Sequence, residues 1–213
     1  MSVFDSHPQN TRFNRSRLGL TLPAAIMLGL GLGACSGENT GSGTAIADLA
    51  RDEAVHTPGT FVNPAGDTIG RVVFIGAPNG GVLMRVDVGT LPAGWHGIHL
   101  HQVGDCSDGA NGFKASGGHI DPDQAEHGLL NPNGWERADI PNIFAGSDGQ
   151  ATAEIFQTGL SLLPSEEAGT LGNAIPLLDN DGFAVIIHEN RDDHRSQPIG
   201  GAGSRIACAV LRR

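Results

Sequence analysis

The chain has 213 residues and a formal net charge of −10 at pH 7, with 23 acidic and 13 basic residues. Such an acidic chain is a poor candidate for a nucleic-acid-binding protein, because phosphate backbones are bound by basic surfaces. Its 32 glycines and 12 prolines leave few stretches that could form helices.

The N-terminal segment has the pattern of an export signal. Residues 1–17 are polar and contain three arginines, and an uncharged apolar run follows from Leu18 to Ala34. A basic segment followed by an apolar segment is typical of a secretory signal peptide. The apolar run is short for a membrane span and is interrupted by glycines and Pro23. We therefore predict that residues 1–34 are a signal peptide.

The end of the apolar run predicts a lipid anchor. Residues 32–35 (LGAC) resemble a bacterial lipoprotein box, in which Cys35 becomes the lipidated first residue of the mature protein. The alternative is simple cleavage near Ala34, which leaves Cys35 as a free thiol. Residues 36–45 are small, polar and rich in glycine, as in a flexible tether, and we assign residues 35–50 to the lipidated cysteine and this tether. We predict an exported protein, periplasmic or anchored to the outer membrane, whose lipid is its only membrane contact.

Residues 51–213 are long enough for one domain with its own core. Loss of residues 1–34 leaves ten basic and 22 acidic residues, a net charge of −12. With Cys35 assigned to the lipid, Cys106 and Cys208 remain as an even pair. Disulfides persist in exported domains of this kind.

Short apolar or alternating runs predict an all-β domain. From Val82 to Val88 every second residue is apolar, which places one apolar face on a strand. Asp-Gly and Asn-Gly turns separate several of these runs, as in β-hairpins. Two intervening segments, 107–141 and 189–204, resist assignment to strands, and long loops of this kind are usually functional. The predicted strands cover residues 71–75, 82–88, 143–144, 151–156, 183–187 and 205–211.

The histidines form the main chemical pattern. His99 and His101 lie two apart on an apolar strand, so both rings point to one face and could chelate copper or zinc. Taken alone, this pair could equally be two exposed histidines. His119 and His127 lie in the first long loop, and His188 ends the strand 183–187. Their occurrence together in one exported β-domain favours a metal centre.

Four motifs give these histidines a family context. They are GIHLHQVGDC (97–106), SGGHIDP (116–122), FAVIIHENRDD (183–193) and GGAGSRIACAV (200–210). Together with the spacing of His119, His127 and Asp139, they resemble copper,zinc superoxide dismutases of the bacterial, secreted lipoprotein type. The similarity covers about residues 60–211. It implies an all-β, eight-stranded Greek-key β-barrel or sandwich with two long functional loops.

The resemblance also implies roles for individual residues. His119 would bridge copper and zinc and would exchange a proton during turnover, and Arg205 would be the cation beside the copper. Asp192 would be a carboxylate that orients ligands of both metals, and Cys106 would pair with Cys208. The copper ligands implied are His99, His101, His119 and His188, and the zinc ligands implied include His119, His127 and Asp139.

The implied activity is the dismutation of superoxide to O₂ and H₂O₂ by a redox-cycling copper ion. Superoxide is an anion and the mature chain is acidic, so its attraction must be local, and Arg205 supplies a permanent positive charge. The main alternative is a copper-binding or copper-delivery module on the same fold, for which Arg205 and Asp192 would have little use. A homodimer is compatible with the resemblance, although the sequence offers no clear apolar patch.

One position departs from the family pattern. The third zinc histidine should lie three residues before Asp139, where this chain has Glu136. In one interpretation Glu136 replaces the imidazole as a zinc ligand, since carboxylates bind zinc. In the other it pairs with Arg137 or solvent, and zinc is weakly held or absent. His96 and His194 match no ligand position and are expected to be solvated.

Overall fold

The computed structural model describes residues 56–77, 80–164 and 174–213. The predicted signal peptide, Cys35 and the tether lie outside these ranges. Within the described part of the chain, no helix is long and apolar enough to cross a membrane.

Strands dominate the described residues, as predicted. The only helical elements among them are two single turns of 3₁₀ helix, Gly109–Asn111 and Lys114–Ser116. The strands are β1 His56–Val62, β2 Thr68–Gly76, β3 Val82–Val88, β4 Gly94–His96, β5 Ile98–His101, β6 Ile143–Ala145, β7 Ala151–Gln157, β8 Leu160–Ser161, β9 Ile175–Pro176, β10 Phe183–His188 and β11 Arg205–Leu211.

Seven strands form one antiparallel sheet in the order β5-β10-β11-β1-β2-β3-β7. In β3, Val82, Met84, Val86 and Val88 are buried, whereas the residues between them are partly exposed, so the predicted alternation is confirmed. The partly exposed face carries an ion pair between Arg85 of β3 and Glu154 of β7.

The large sheet curls because a second, smaller sheet of two strands connects its two edge strands, β5 and β7. Strand β4 continues into β5 through Gly97, and β4 pairs with β6. Strand β6 in turn packs against β7, the strand at the far edge of the large sheet. The predicted all-β fold is therefore confirmed, and among the described residues it consists of a curled seven-stranded sheet with two two-stranded sheets rather than eight strands in one barrel. The apolar face of the sheet encloses a core that includes the edge-to-face pair of Phe74 and Phe183.

Strands β5 and β10 are buried on both faces. One face contributes Ile98, Leu100 and Val185 to the main core. The other face lies under the long loop 102–142, whose Phe113 packs with Ile186 and neighbouring residues in a second small apolar cluster. Full burial of a phenylalanine contributes roughly 1.5–3 kcal/mol, so Phe113 fixes this loop against the sheet.

Candidate metal centre

The sheet register brings three of the predicted histidines together. His99 and His101 of β5 lie opposite Ile186 and Ala184 of β10. His188 ends β10 on the face shared by those two residues, because side chains two apart on a strand share a face. The ring centroids of His99 and His188 are 4.8 Å apart. His119 in the loop 102–142 lies beside them, with its ring centroid 4.3 Å from that of His99.

These four side chains share an unusual property. Each has one buried ring nitrogen without a hydrogen-bond partner among the described residues. Buried polar atoms are nearly always paired with a hydrogen-bond partner, so four unpaired ring nitrogens in one place indicate a metal-binding site. The unpaired atoms of the four-histidine set are His99 Nδ1, His101 Nε2, His119 Nε2 and His188 Nε2.

The set is not uniformly tight. His99, His119 and His188 offer nitrogens within 4.8 Å of one another. His101 is not part of that group, and its ring centroid lies 5.1 Å from that of His119. An all-imidazole donor set suits copper. The residues present therefore fit a copper ion, with His101 as the most distant donor.

The opposite ring nitrogens are held by the protein. His99 Nε2 donates to Asp192 Oδ2 at 2.9 Å, and His101 Nδ1 donates to the carbonyl oxygen of Gly117 at 2.9 Å. His188 Nδ1 donates to the carbonyl oxygen of Gly203 at 3.2 Å. Each bond places the proton on the nitrogen that faces away from the centre, which leaves the lone pair directed inward.

The pKa values of these rings are consistent with neutral donors. Burial, followed by the nearby His119, lowers the pKa of His99 to about 4, against the opposing effect of Asp192. Burial and then the neighbouring His99 lower the pKa of His188 to about 3. Burial, His119 and Arg205 also lower the pKa of His101 well below its usual value. A neutral imidazole is the form that binds a metal.

A second cluster adjoins the first through His119. We name it the mixed set: His119, His127, Glu136 and Asp139, whose ligand atoms lie within 4.8 Å of one another. His119 Nδ1 donates to Glu136 Oε2, and His127 Nδ1 lies 2.6 Å from Asp139 Oδ1. Two imidazoles and two carboxylates form a donor set that suits zinc. His119 thus offers one ring nitrogen to each set.

The two carboxylates of the mixed set are held differently. Asp139 Oδ2 accepts hydrogen bonds from the backbone N–H groups of Gly128 at 2.7 Å and Glu136 at 3.0 Å. Asp139 Oδ1 is buried and lies on the side of His127 Nδ1, 2.6 Å away. Glu136 Oε2 instead faces both histidines, and it lies 3.3 Å from His127 Nδ1. Both carboxylates therefore present one oxygen to the same point.

Charge in the mixed set is balanced between its acids and His127. Burial opposes ionisation of Glu136, but hydrogen bonds from His119 and His127 lower its pKa to about 2. Burial opposes protonation of His127, but hydrogen bonds with Asp139, Asp192 and Glu136 raise its pKa to about 11. In the absence of a metal, Glu136 and His127 are therefore both held in their charged forms, and His127 would have to release its proton to bind a metal.

Asp192 joins the two sets. Its carboxylate accepts hydrogen bonds from His99 Nε2 at 2.9 Å and from His127 Nε2 at 3.2 Å. Asp192 is fully buried. Burial alone would raise the pKa of Asp192, but the bonds from His127 and His99 and from the His194 backbone lower it below its usual range. Asp192 therefore remains an ionised acceptor.

Arg205, the first residue of β11, is fixed at the edge of the four-histidine set. Its Nη1 donates to the carbonyl oxygen of Phe113 at 2.7 Å and to Ser116 Oγ at 3.0 Å, and its Nη2 donates to the carbonyl oxygen of Gly117 at 2.9 Å. The same Gly117 oxygen accepts from His101. The side chain is only partly buried, so its remaining N–H groups can meet an anion from solvent.

The predicted disulfide is confirmed and supports Arg205. Cys106 and Cys208 are bonded, with their Cα atoms 5.8 Å apart. Cys208 lies three residues after Arg205 on β11, and Cys106 begins the part of the loop that carries Phe113 and Ser116. The bond therefore ties the arginine's strand to the segment that accepts its hydrogen bonds.

Two histidines expected to be solvated are not. His96 is buried, and its two ring nitrogens each lie 2.7 Å from a carbonyl oxygen, those of His188 and Pro92. The side chain of His194 is 13 % exposed, and it contacts Asn142 and Asp192. The contacts of His96 with His188 and of His194 with Asn142 join residues 92 and 52 positions apart, so local sequence patterns carry no signal for them.

Comparison with known proteins gives this geometry a family. The family model described as copper/zinc superoxide dismutase matches residues 68–211. A Cu-Zn superoxide dismutase of Caulobacter vibrioides is 44 % identical over 156 residues, which cover 72 % of this chain and 84 % of that protein. One from Aquifex aeolicus is 34 % identical over 78 % of this chain and 91 % of its own length.

Solved structures agree with the sequence relatives. The crystal structure of a SOD-like protein from Bacillus subtilis is similar with a TM-score of 0.64 at 31 % identity, over 72 % of this chain and 97 % of that one. The Cu/Zn superoxide dismutase of Brucella abortus gives a TM-score of 0.55 at 28 % identity, over 74 % and 99 % of the two chains.

Proposed function

The chain belongs to the copper/zinc superoxide dismutase family and is a superoxide dismutase, and from this premise we propose that the four-histidine set holds the copper and the mixed set holds the zinc. The observation that carries the assignment is the convergence of four buried imidazole nitrogens without protein partners. Their lone pairs face one point because their opposite nitrogens donate to Asp192, Gly117, Gly203 and Glu136.

The reaction consumes two superoxide anions and two protons and yields one O₂ and one H₂O₂. Bound copper supplies the one-electron oxidation and reduction. Arg205 binds the anion, because a guanidinium stays charged and its three hydrogen bonds to the loop 102–142 hold it in place. Such a fixed charge can raise the association rate by about 10–10³, as already documented for superoxide dismutase itself.

His119 is the residue placed to handle a proton between the two sets. Its Nδ1 points to Glu136, and its buried Nε2 has no partner on the side of the four-histidine set. Nε2 is therefore the atom at which this ring can take up and release a further proton. The carboxylate of Glu136 keeps the ring oriented while that proton is gained or lost.

We propose that Glu136 is a zinc ligand. Support comes from its Oε2, which faces both His119 and His127, and from its grouping with Asp139. The alternative, in which Glu136 pairs with Arg137, has less support, because Arg137 Nε donates to Asp123 at 2.6 Å instead. Zinc analysis of the metal-loaded protein tests this directly. One zinc per chain is expected, and the absence of tightly held zinc would contradict it.

The function itself is tested by metal analysis and a dismutation assay on the same sample. We expect one copper and one zinc per chain with fast turnover that slows at high salt, because exposed charges are screened. Turnover with copper alone would show that zinc is not needed. Tight copper without turnover would instead indicate a copper-binding or copper-delivery protein.

We propose that the protein is exported and anchored by a lipid on Cys35. Support comes from the basic and apolar segments of residues 1–34 and from the LGAC sequence at 32–35. Expression of the full chain in a bacterium with a Cys35→Ala variant as its control tests the anchor. The parent chain should fractionate with membranes, whereas the variant should be released as soluble periplasmic protein. Equal solubility of both would indicate simple cleavage.

We propose a homodimer that buries Trp95 and Phe144. Their rings are in contact, with centroids 5.1 Å apart, yet they are 52 % and 54 % exposed. Aromatic side chains are enriched at interface cores. Sedimentation of a Trp95→Ser, Phe144→Ser variant should show a monomer where the parent is a dimer. Phe156→Ser is the control, because Phe156 is equally exposed on β7. A monomeric parent would contradict the proposal.

A further inference from the structure

The backbone of Asp192 is held by Asn142, a residue outside both ligand sets. Asn142 Nδ2 donates to the carbonyl oxygen of Asp192 at 2.9 Å, and Asn142 Oδ1 accepts from the Asp192 N–H at 2.9 Å. One amide side chain therefore satisfies both backbone polar groups of Asp192. Because Asn142 lies three residues after Asp139, this clamp fixes the loop 189–204 to the end of the loop that carries the mixed set.

The clamp also determines how the ring of His194 is protonated. With Asn142 Oδ1 accepting from Asp192, the second N–H of Asn142 Nδ2 is directed to His194 Nε2 at 2.9 Å. That ring nitrogen must accept, so a neutral ring carries its proton on Nδ1. His194 Nδ1 lies 3.4 Å from Asp192 Oδ2 and has no hydrogen-bond partner among the described residues. The ring thus faces the carboxylate with its N–H edge.

The backbone of His194 is bound to both loops. Its N–H donates to Asp192 Oδ1 at 2.6 Å, and its carbonyl oxygen accepts from Leu130 N at 3.0 Å. Its φ is +60°, in the left-handed region that residues with side chains rarely adopt. Such a conformation persists only where surrounding contacts over-determine it, and it is concentrated at functional sites.

The ring of His194 is largely buried and reaches a cavity on one side. It lines a cavity of about 300 Å³ together with Trp95, Pro141, Asn142 and Arg191. Its polar contacts within the described residues are those with Asn142 and Asp192.

We propose that His194 and Asn142 are positioning residues that hold the Asp192 carboxylate and thereby fix His99 and His127 at the same time. The inference rests on the proposed assignment of copper and zinc to the two sets. Because Asp192 contacts one histidine of each set, a disturbance at residue 142 or 194 must reach both metal environments. A residue that only stabilised the loop would leave both environments unchanged.

The test uses the full mature chain loaded with Cu²⁺ and with Co²⁺ in place of zinc, since both ions have visible ligand-field bands. His194→Asn removes the ring, while asparagine tolerates a positive φ. Asn142→Asp removes the donor to Asp192 and His194 at constant size. Arg195→Ala is the control, because Arg195 is an exposed neighbour in the same loop. Ligand-field spectra and the rate of Co²⁺ release to a chelator are measured.

We expect both variants to shift the Cu²⁺ and the Co²⁺ bands and to release Co²⁺ about tenfold faster, the lower end of the range for residues that support ligands. The control should match the parent. Unchanged bands and release rates in His194→Asn would overturn the inference, even if Asn142→Asp failed to fold. Lower thermal stability with unchanged bands would also overturn it. A parent chain that binds neither ion would overturn the metal assignment itself.

Discussion

The two sets of ligand side chains come from different kinds of structure. In the four-histidine set, three members lie on β5 and β10, whose hydrogen-bonded register fixes their spacing. In the mixed set, all four members come from the loop 102–142. Their positions depend on side-chain contacts, such as those of Asp139 with the Gly128 and Glu136 backbone.

This difference explains where the chain departs from its family. On a strand the ladder fixes the direction of each side chain, because every second residue shares a face. A loop position is constrained mainly by reach and charge, so a carboxylate can stand where an imidazole is expected. Glu136 is such a replacement, and it lies in the loop half of the centre. The four-histidine set carries the full family pattern.

The largest expected effect is a loss of zinc affinity on substitution of Glu136, which should alter the mixed set but not the four-histidine set. In Glu136→Ala, zinc affinity should fall by more than the roughly 10–100-fold typical of residues that only support ligands, because a proposed ligand is lost. The copper spectrum should change little. Glu136→His is the matched control and should retain zinc. Competition with a chromogenic chelator measures the affinities. Equal zinc binding by all three proteins would show that Glu136 is not a ligand.

The next largest effect is expected in both sets at once, when the carboxylate of Asp192 is displaced. A Cβ on Gly200 would overlap Asp192 Oδ1, whereas one on Gly201 would meet nothing within 4 Å. Both glycines have positive φ, 61° and 68°, so both alanine variants carry similar backbone strain. Gly200→Ala should weaken zinc binding about 10–100-fold and shift the copper spectrum. Gly201→Ala should do neither, and identical behaviour of the two would contradict a role for the Asp192 carboxylate.

A smaller effect is expected at Arg205, which lies at the edge of the four-histidine set and shares the Gly117 oxygen with His101. Arg205→Gln should lower kcat/KM about tenfold, the low end of the range for electrostatic steering, with copper and zinc contents unchanged. Its dependence on salt should also weaken. Arg71→Gln, four strands away from β5 on β2, removes the same charge and serves as the control. Stopped-flow decay of superoxide measures both. A similar loss in Arg71→Gln would mean that only net charge matters.

The smallest effect is the pH dependence of the metal-free protein, in which the two sets act in opposite directions. The pKa of His127 is raised to about 11, so its contribution to stability is complete below pH 6.5 and is lost as the pH rises toward 11. The pKa values of His99 and His188 are lowered to about 4 and about 3. Their contributions are present above pH 6.5 and are lost as the pH falls through those values.

Stability of the chelator-treated protein should therefore be greatest near pH 6.5. The contribution of Glu136, whose pKa is lowered to about 2, is complete above pH 4.5 and does not move this maximum. Calorimetry between pH 4 and 9 should show Tm falling by about a few degrees on either side. In His127→Gln the alkaline decline should flatten. A Tm that rises steadily through pH 8 would contradict the opposition of the two sets.

Sequence patterns were sufficient for features fixed by local periodicity. The alternation in β3 and the placement of His99 and His101 on one face follow from the two-residue repeat of a strand. The partnership of Cys106 and Cys208 followed from the family resemblance and from their being the pair left in an exported domain. In each case neighbouring residues, or a small set of candidates, contained the information.

Features built by loop paths were not predictable in this way. Asn142 and Asp192 are 50 residues apart, and their contact requires both long loops to be folded. His96 was expected to be solvated, but it is buried and its Nδ1 lies 2.7 Å from the carbonyl oxygen of His188 at the end of β10. Hydrophobic periodicity cannot predict such a contact, because the contact depends on how two segments that are distant in sequence lie relative to each other in the fold.

The shared carboxylate has a consequence for how the protein fills with metal. Because Asp192 contacts His99 and His127, we expect a metal in one set to fix this carboxylate further for the other set, which would couple the two binding events. Thermodynamic reciprocity then requires that zinc raise the affinity for copper by the same factor by which copper raises the affinity for zinc. When either ion is limiting, most protein molecules should carry both metals or neither, and few should carry only one. Cooperativity would thus limit the number of chains that carry a redox-active ion in an unfinished centre.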